Sequence, residues 1–215
     1  MNLFDKNFEM DFDDLKKVNF IINNKSSFND GFDLHFNYYE KVGLTVYKDD
    51  SKYEFIIFLI EDCDNILILG PGFLTDEKQK KLFDKPIFDR HTWVDDFEQN
   101  LIFYNDPTRY DFKELKGGWG IGNERVWHLS NIAEIIKILS NKITPYKSLD
   151  IIPHTNLFFY GSSMGGYMSI VLSILIRNST SIADIPQFNL FNWIYWNKLR
   201  ENCFNGFPDD YIFEN

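Results

Sequence analysis

The chain has 215 residues, 44% of them hydrophobic and 18% aromatic, which suits one domain with a large core. A net charge of −10 at pH 7 argues against nucleic acid and against an anionic membrane surface as partners. No run reaches the ~18 apolar residues of a membrane-spanning helix, the start Met1-Asn2-Leu3-Phe4-Asp5-Lys6 lacks the regions of a signal peptide, and two cysteines, Cys63 and Cys203, make no disulfide framework, so the expected location is the cytoplasm.

In chain order, residues 1 to about 40 are acidic and aromatic without clean periodicity. Leu34 to Tyr38 and Gly43 to Tyr47 partly alternate and predict short antiparallel strands within an N-terminal extension covering residues 1–50. The remainder, 51–215, reads as one α/β domain. Tyr53 to Ile60, Asn65 to Gly70 and Asn100 to Tyr104 predict strands, and Asp76 to Phe83 a short helix. Apolar residues at Val126, Trp127, Ile132, Ile135, Ile136 and Leu139 predict a helix over Glu124 to Leu139. A strand at Asn156 to Tyr160, a helix at Gly165 to Ile176 and a strand at Thr180 to Ile185 follow, and the aromatic tail from Phe188 to Asn215 reads as mostly irregular. Short apolar strands alternating with helices predict a mostly parallel sheet with helices on both faces. Ligands then bind beyond the carboxyl ends of the strands, where Gly70-Pro71-Gly72-Phe73, Asn105-Asp106-Pro107-Thr108, Ser162-Ser163 and Pro186-Gln187 all fall.

Gly161-Ser162-Ser163-Met164-Gly165 reads G-x-S-x-G between a strand and a helix, the setting of a nucleophile elbow. Only very small residues fit two positions either side of the central serine. Ser163 would project its hydroxyl above the sheet, where the Met164 amide and the helix dipole favour negative charge. The other glycine-rich stretch, Gly117 to Gly122 around Trp119, is not G-x-G-x-x-G and follows no strand, so it reads as a flexible loop over the site edge. There is no H-E-x-x-H, no paired C-x-x-C and no P-loop, so a serine mechanism without metal or cofactor is the chemistry suggested.

The elbow resembles that of the α/β-hydrolases. More narrowly, Asp89-Arg90-His91-Thr92-Trp93, Asn105 to Tyr110, Gly118 to Gly122, Phe159 to Gly166 and Ile185-Pro186-Gln187 resemble, in order and spacing, the hydrolase-like modules of bacterial and archaeal surface-glycan and accessory secretion loci. That resemblance implies acyl-ester or acetyl-sugar chemistry, a carbohydrate ester as substrate, and a glycosyltransferase or secretion-system protein as partner. It implies oxyanion donors at Met164 and at Gly72 or Phe73, with Trp93, Asp106, Trp119 and Gln187 as substrate contacts. Asp106 also reads as the cap of an Asn-Asp-Pro turn.

The family's base is a histidine following the serine, yet His35, His91, His128 and His154 all precede Ser163. The triad is therefore expected to be incomplete, the last strands of the fold missing, and turnover weak or absent. The alternatives are a catalytically silent interaction module or a gene fragment. His91 is the base candidate that can reach the carboxyl edge. His128 reads as a half-buried helix residue, and His154 lies at the far end of the elbow strand, about 20 Å from Ser163. Asp184, Asp209 and Asp210 are the acid candidates after the serine.

Overall fold

A computed structural model describes residues 15–21, 37–144 and 154–205. Seven strands form one sheet: β1 (Lys16–Ile21), β2 (Lys41–Lys48), β3 (Ser51–Phe58), β4 (Ile66–Leu69), β5 (Asn100–Tyr104), β6 (Leu157–Ser162) and β7 (Thr180–Asp184), in the order β1-β2-β3-β5-β4-β6-β7. Among the described strands, only β3 runs against its neighbours; β1 with β2, and β5, β4, β6 and β7, pair in parallel. The helices are α1 (Asp76–Lys81), α2 (Thr108–Asp111), α3 (His128–Ile143), α4 (Met164–Leu175) and α5 (Trp196–Cys203), with 3-10 turns at His91–Asp96 and Leu190–Asn192.

Local chemistry accounts for these elements. The β2–β3 hairpin turns on Asp49 and Asp50, both at positive φ (50° and 57°), as a two-residue turn matched to strand twist requires, and aspartate tolerates that region. The central strands are apolar on both sides because both sides are covered. Ile57, Ile68, Ile102 and Phe159 face α3 and α4, which present Ile132, Ile135, Ile136, Met168 and Leu172 at helical spacing. Each such side chain contributes on the order of 1.5–3 kcal/mol by leaving water. The opposite face, with Ile56, Phe58, Leu69, Leu101 and Phe103, is covered by Phe88, Val94 and Phe97 of the segment bearing the first 3-10 turn. Helical cover thus lies on both faces, long on one and a single 3-10 turn on the other.

Four expectations are corrected. The third helix begins at His128, four residues later than the periodicity suggests, because Asn123 and Val126 close a turn on each other and Gly122 sits at φ 83°. The tail is not wholly irregular: Trp196–Cys203 is helical and buries Leu199 and Cys203. Tyr38 lies in a turn, outside any strand, while residues 34–36 of that expected strand fall outside the described residues; the second expected strand lies within β2, which pairs antiparallel with β3. β1, in the stretch without periodicity, is a strand the pattern did not announce. Among the described residues, no helix is long and apolar enough to cross a membrane.

Candidate active site

Ser163 joins β6 to α4 at φ 54° and ψ −115°, a backbone region that side chains rarely adopt. The turn closes so tightly that a Cβ on Gly161 would stand 2.1 Å from the Gly165 carbonyl oxygen, and one on Gly165 would stand 2.7 Å from that of Pro71. At each position the atom met is backbone, so neither has room for a side chain. The Ser163 amide donates to the Asp184 carbonyl at the end of β7 (2.9 Å), tying the turn to the next strand. Ser163 is half-buried at the carboxyl edge, with Met164 as the first residue of the twelve-residue helix α4. Its backbone and that of Met164 thus sit where the helix dipole favours an anion. Among the described residues, no side chain hydrogen-bonds the Ser163 hydroxyl.

The Gly70–Phe73 turn follows β4 and abuts the elbow. The Gly72 amide donates to Asp89 Oδ2 at 2.5 Å, so a carboxylate oxygen already holds one of the two amides assigned to an oxyanion. The Phe73 ring packs on Trp119 (centroids 5.6 Å apart) and edge-on to Tyr195 (4.8 Å). Asp89 is the residue that reasoning from sequence passed over. It stands inside the Asp89–Trp93 stretch that carried the resemblance, and a carboxylate two residues before the candidate base was the available signal.

The same segment places His91 and Trp93. His91 Nδ1 is 2.5 Å from the Phe88 carbonyl, which can only accept, so Nδ1 carries a proton, and the buried Nε2 has no hydrogen-bond partner among the described residues. Trp93 is 45% exposed, and the Arg90 guanidinium lies between its ring and that of Tyr160 on β6. No hydrogen bond among the described residues joins His91 to Ser163.

Asp106, Trp119 and Gln187 form one connected unit. Asp106 is 1% exposed and accepts from the amides of Thr108 (3.1 Å), Gly118 (2.6 Å) and Gly120 (3.2 Å). Thr108 Oγ1 accepts from the Gly122 amide (3.0 Å). The glycine-rich stretch is therefore not a flexible loop. Gly117 to Gly120 are buried and held by a buried carboxylate, an arrangement that glycine permits because Gly118 packs directly on the Thr108 side chain. Trp119, fully buried, donates its indole N–H to Gln187 Oε1 (3.0 Å), and the backbone N–H of Gln187 donates to the Ser163 carbonyl (3.5 Å). A chain of contacts thus runs from the end of β5 to the elbow.

The remaining titratable groups sort clearly. His128 is wholly buried, deeper than its helix position suggested. Asn131 Nδ2 donates to the Tyr53 hydroxyl (2.8 Å), that hydroxyl lies 2.9 Å from His128 Nδ1, and His128 Nε2 donates to the Asp111 carboxylate (3.1 Å), so every group has a partner. Burial pushes the Asp111 carboxyl up, but the hydrogen bond and charge of His128 and the hydrogen bond from Asn123 outweigh it and hold it below the usual carboxylate range. Burial, and to a smaller degree the Asp106 charge, push the Tyr104 phenol far up, so it stays neutral beside Gly70. His154 precedes β6, at the opposite end of that strand from Ser163. Asp184 accepts from the Ser162 hydroxyl (3.1 Å), one residue from the candidate nucleophile. His35, Asp209 and Asp210 lie outside the described residues.

The strand order, the single antiparallel strand and the elbow define an α/β-hydrolase-like fold. No protein-family profile and no curated protein sequence matches the chain. Among solved structures, a glycosylation-associated protein (Gap123) complex from Streptococcus agalactiae is similar with a TM-score of 0.54 at 13% identity, over 74% of this chain and 29% of that one. The capsule O-acetyltransferase of Neisseria meningitidis serogroup A is similar with a TM-score of 0.51 at 15% identity, over 84% of this chain and 66% of that one. A mutant of the same enzyme in complex with CoA gives 0.50 at 17% identity, over 69% and 53%. The chain spans about half the length of that CoA-bound enzyme and less than a third of the Gap123 chain.

Proposed function

We propose that this domain carries out, or descends from a domain that carried out, serine-dependent acyl transfer on carbohydrate esters during glycan or glycoprotein assembly. The observation that carries the reading is the Ser163 backbone at φ 54° and ψ −115°, held between Gly161 and Gly165 at a helix start. Strain of this kind persists only where the surroundings enforce it, and it concentrates at functional residues. In the proposed reaction, Ser163 Oγ attacks the ester carbonyl carbon while a base removes its proton. The C–O bond to the sugar breaks, the sugar oxygen takes the proton, and water or an acceptor hydroxyl then releases the acyl group. The Met164 amide stabilises the oxyanion, with Phe73 as the second donor while Asp89 holds Gly72. His91, whose Nε2 has no partner among the described residues, is the candidate base. Trp93 offers an exposed face to a sugar ring, and Gln187 reaches the substrate from its anchor on Trp119. Asp106 and Trp119 act through the backbone they hold. The solved neighbours, an O-acetyltransferase of a capsule and a glycosylation-associated complex, support a glycan setting and a protein partner in that process.

A second reading, a silent interaction module, is favoured by the Asp89 carboxylate on Gly72 and by a serine hydroxyl that no described side chain contacts. Intact-mass analysis after exposure to a fluorophosphonate probe separates the two. A single adduct on the chain that disappears in Ser163→Ala supports an activated serine; a folded protein that takes no adduct supports the silent module.

A further inference from the structure

We infer that Arg90 is an anion-recognition residue, and that the ester processed at Ser163 carries a carboxylate or phosphate group on its sugar side. The inference rests on the reading of Ser163 as nucleophile and names the substrate class for that site. Arg90 sits in the left-handed backbone region (φ 64°, ψ 8°), where arginine gains nothing by itself and must be held by its surroundings. Its guanidinium carbon lies 5.6 Å from the Trp93 ring centroid and 5.1 Å from that of Tyr160. Two aromatic neighbours restrain the planar group and leave its rim of N–H donors unused: among the described residues, no carboxylate or carbonyl accepts from it. A guanidinium restrained in this way loses little freedom on binding, and its donor fork matches a carboxylate or phosphate in a way that a lysine cannot. The chain as a whole carries a charge of −10, which repels anions, so recognition of one needs a dedicated cation.

The position fixes the geometry of the ligand. Tyr160 stands three residues before Ser163 on β6, about 10 Å at ~3.3 Å per residue. The residue beside Arg90, Asp89, touches the Gly72 amide of the turn next to the elbow, and its own carboxylate is engaged there. The anion is therefore bound on the Tyr160 side of Ser163, beside the segment that reaches the turn next to the elbow. Sugar phosphates and uronic acids share this chemistry.

The test titrates the isotope-labelled full chain with glucose 6-phosphate, glucuronate and glucose, following the Trp93 indole resonance. One or both anions should give a saturable shift while glucose gives none, and the arm that responds names the source of the charge. Arg90→Gln should weaken the response at least tenfold, and Arg90→Lys, which keeps the charge and loses the fork, should also fall short of the native chain. If Arg90→Gln does not fold, phenylglyoxal on the native protein decides: the anion should protect the Arg90 peptide from modification. Equal binding in the Arg90 variants, no anion binding, or equal binding of glucose overturns the inference. Fluorophosphonate labelling of Ser163 is read separately. Anion binding without an adduct refutes the serine reading alone, and an adduct without anion binding refutes this inference alone.

Discussion

The strain at Ser163 is measurable without any substrate. At φ 54°, a residue with a Cβ is held about 1–2 kcal/mol above its relaxed conformation, and sparsely populated regions cost up to about 3 kcal/mol. Alanine at this position keeps the Cβ and therefore keeps the strain. It removes a hydroxyl that no described side chain contacts, so Ser163→Ala should leave stability within about 0.5 kcal/mol of the native value. Glycine relieves the strain but adds freedom to the unfolded chain, worth about 0.5–1 kcal/mol against it. The net expectation is that Ser163→Gly exceeds Ser163→Ala by about 1 kcal/mol, or roughly 2–4 °C in Tm for a domain of this size. Urea unfolding of the three proteins, with unchanged m-values confirming that only stability has moved, measures it directly. If Ser163→Gly is equal to or less stable than Ser163→Ala, the backbone at 163 is not strained and the argument for an enforced elbow fails.

Other expectations follow from neighbouring residues. Gly161→Ala drives a Cβ to 2.1 Å from the Gly165 carbonyl oxygen, a backbone atom that cannot turn aside, and should lower stability by about 3 kcal/mol, seen as a drop in urea midpoint. Asp89→Ala frees the Gly72 amide, and if that amide belongs to the oxyanion hole the rate of Ser163 labelling by a fluorophosphonate should rise about tenfold; an unchanged rate would show that Gly72 plays no part in stabilising the anion. Because the Asp111 carboxyl is held below its ordinary value, its contribution to stability is present above about pH 4 and is lost as pH falls through the depressed value. The stability gap between native protein and Asp111→Asn, measured by denaturant unfolding, should accordingly be wide at pH 7 and shrink by pH 3; a gap independent of pH would refute the assignment.

What the sequence determined by itself is what local rules govern. The alternation of apolar strands and helices and above all Gly161 to Gly165 are set by residues within a few positions of one another, where sterics and backbone preference act directly. The start of α3 escaped this logic because the Asn123–Val126 turn competes with helical periodicity and wins by its own hydrogen bonds. The tertiary structure alone decided which distant groups meet. Asp89 reaches Gly72 across 17 positions and Trp119 reaches Gln187 across 68, distances that sequence patterns do not encode. It also turned the glycine-rich stretch from an expected flexible loop into a buried strap, because Asp106 supplies the acceptors that its amides would otherwise lack. Hydrogen-bonding groups taken from water must find partners, and which partners they find depends on how the strands order in the sheet, a property of the whole fold.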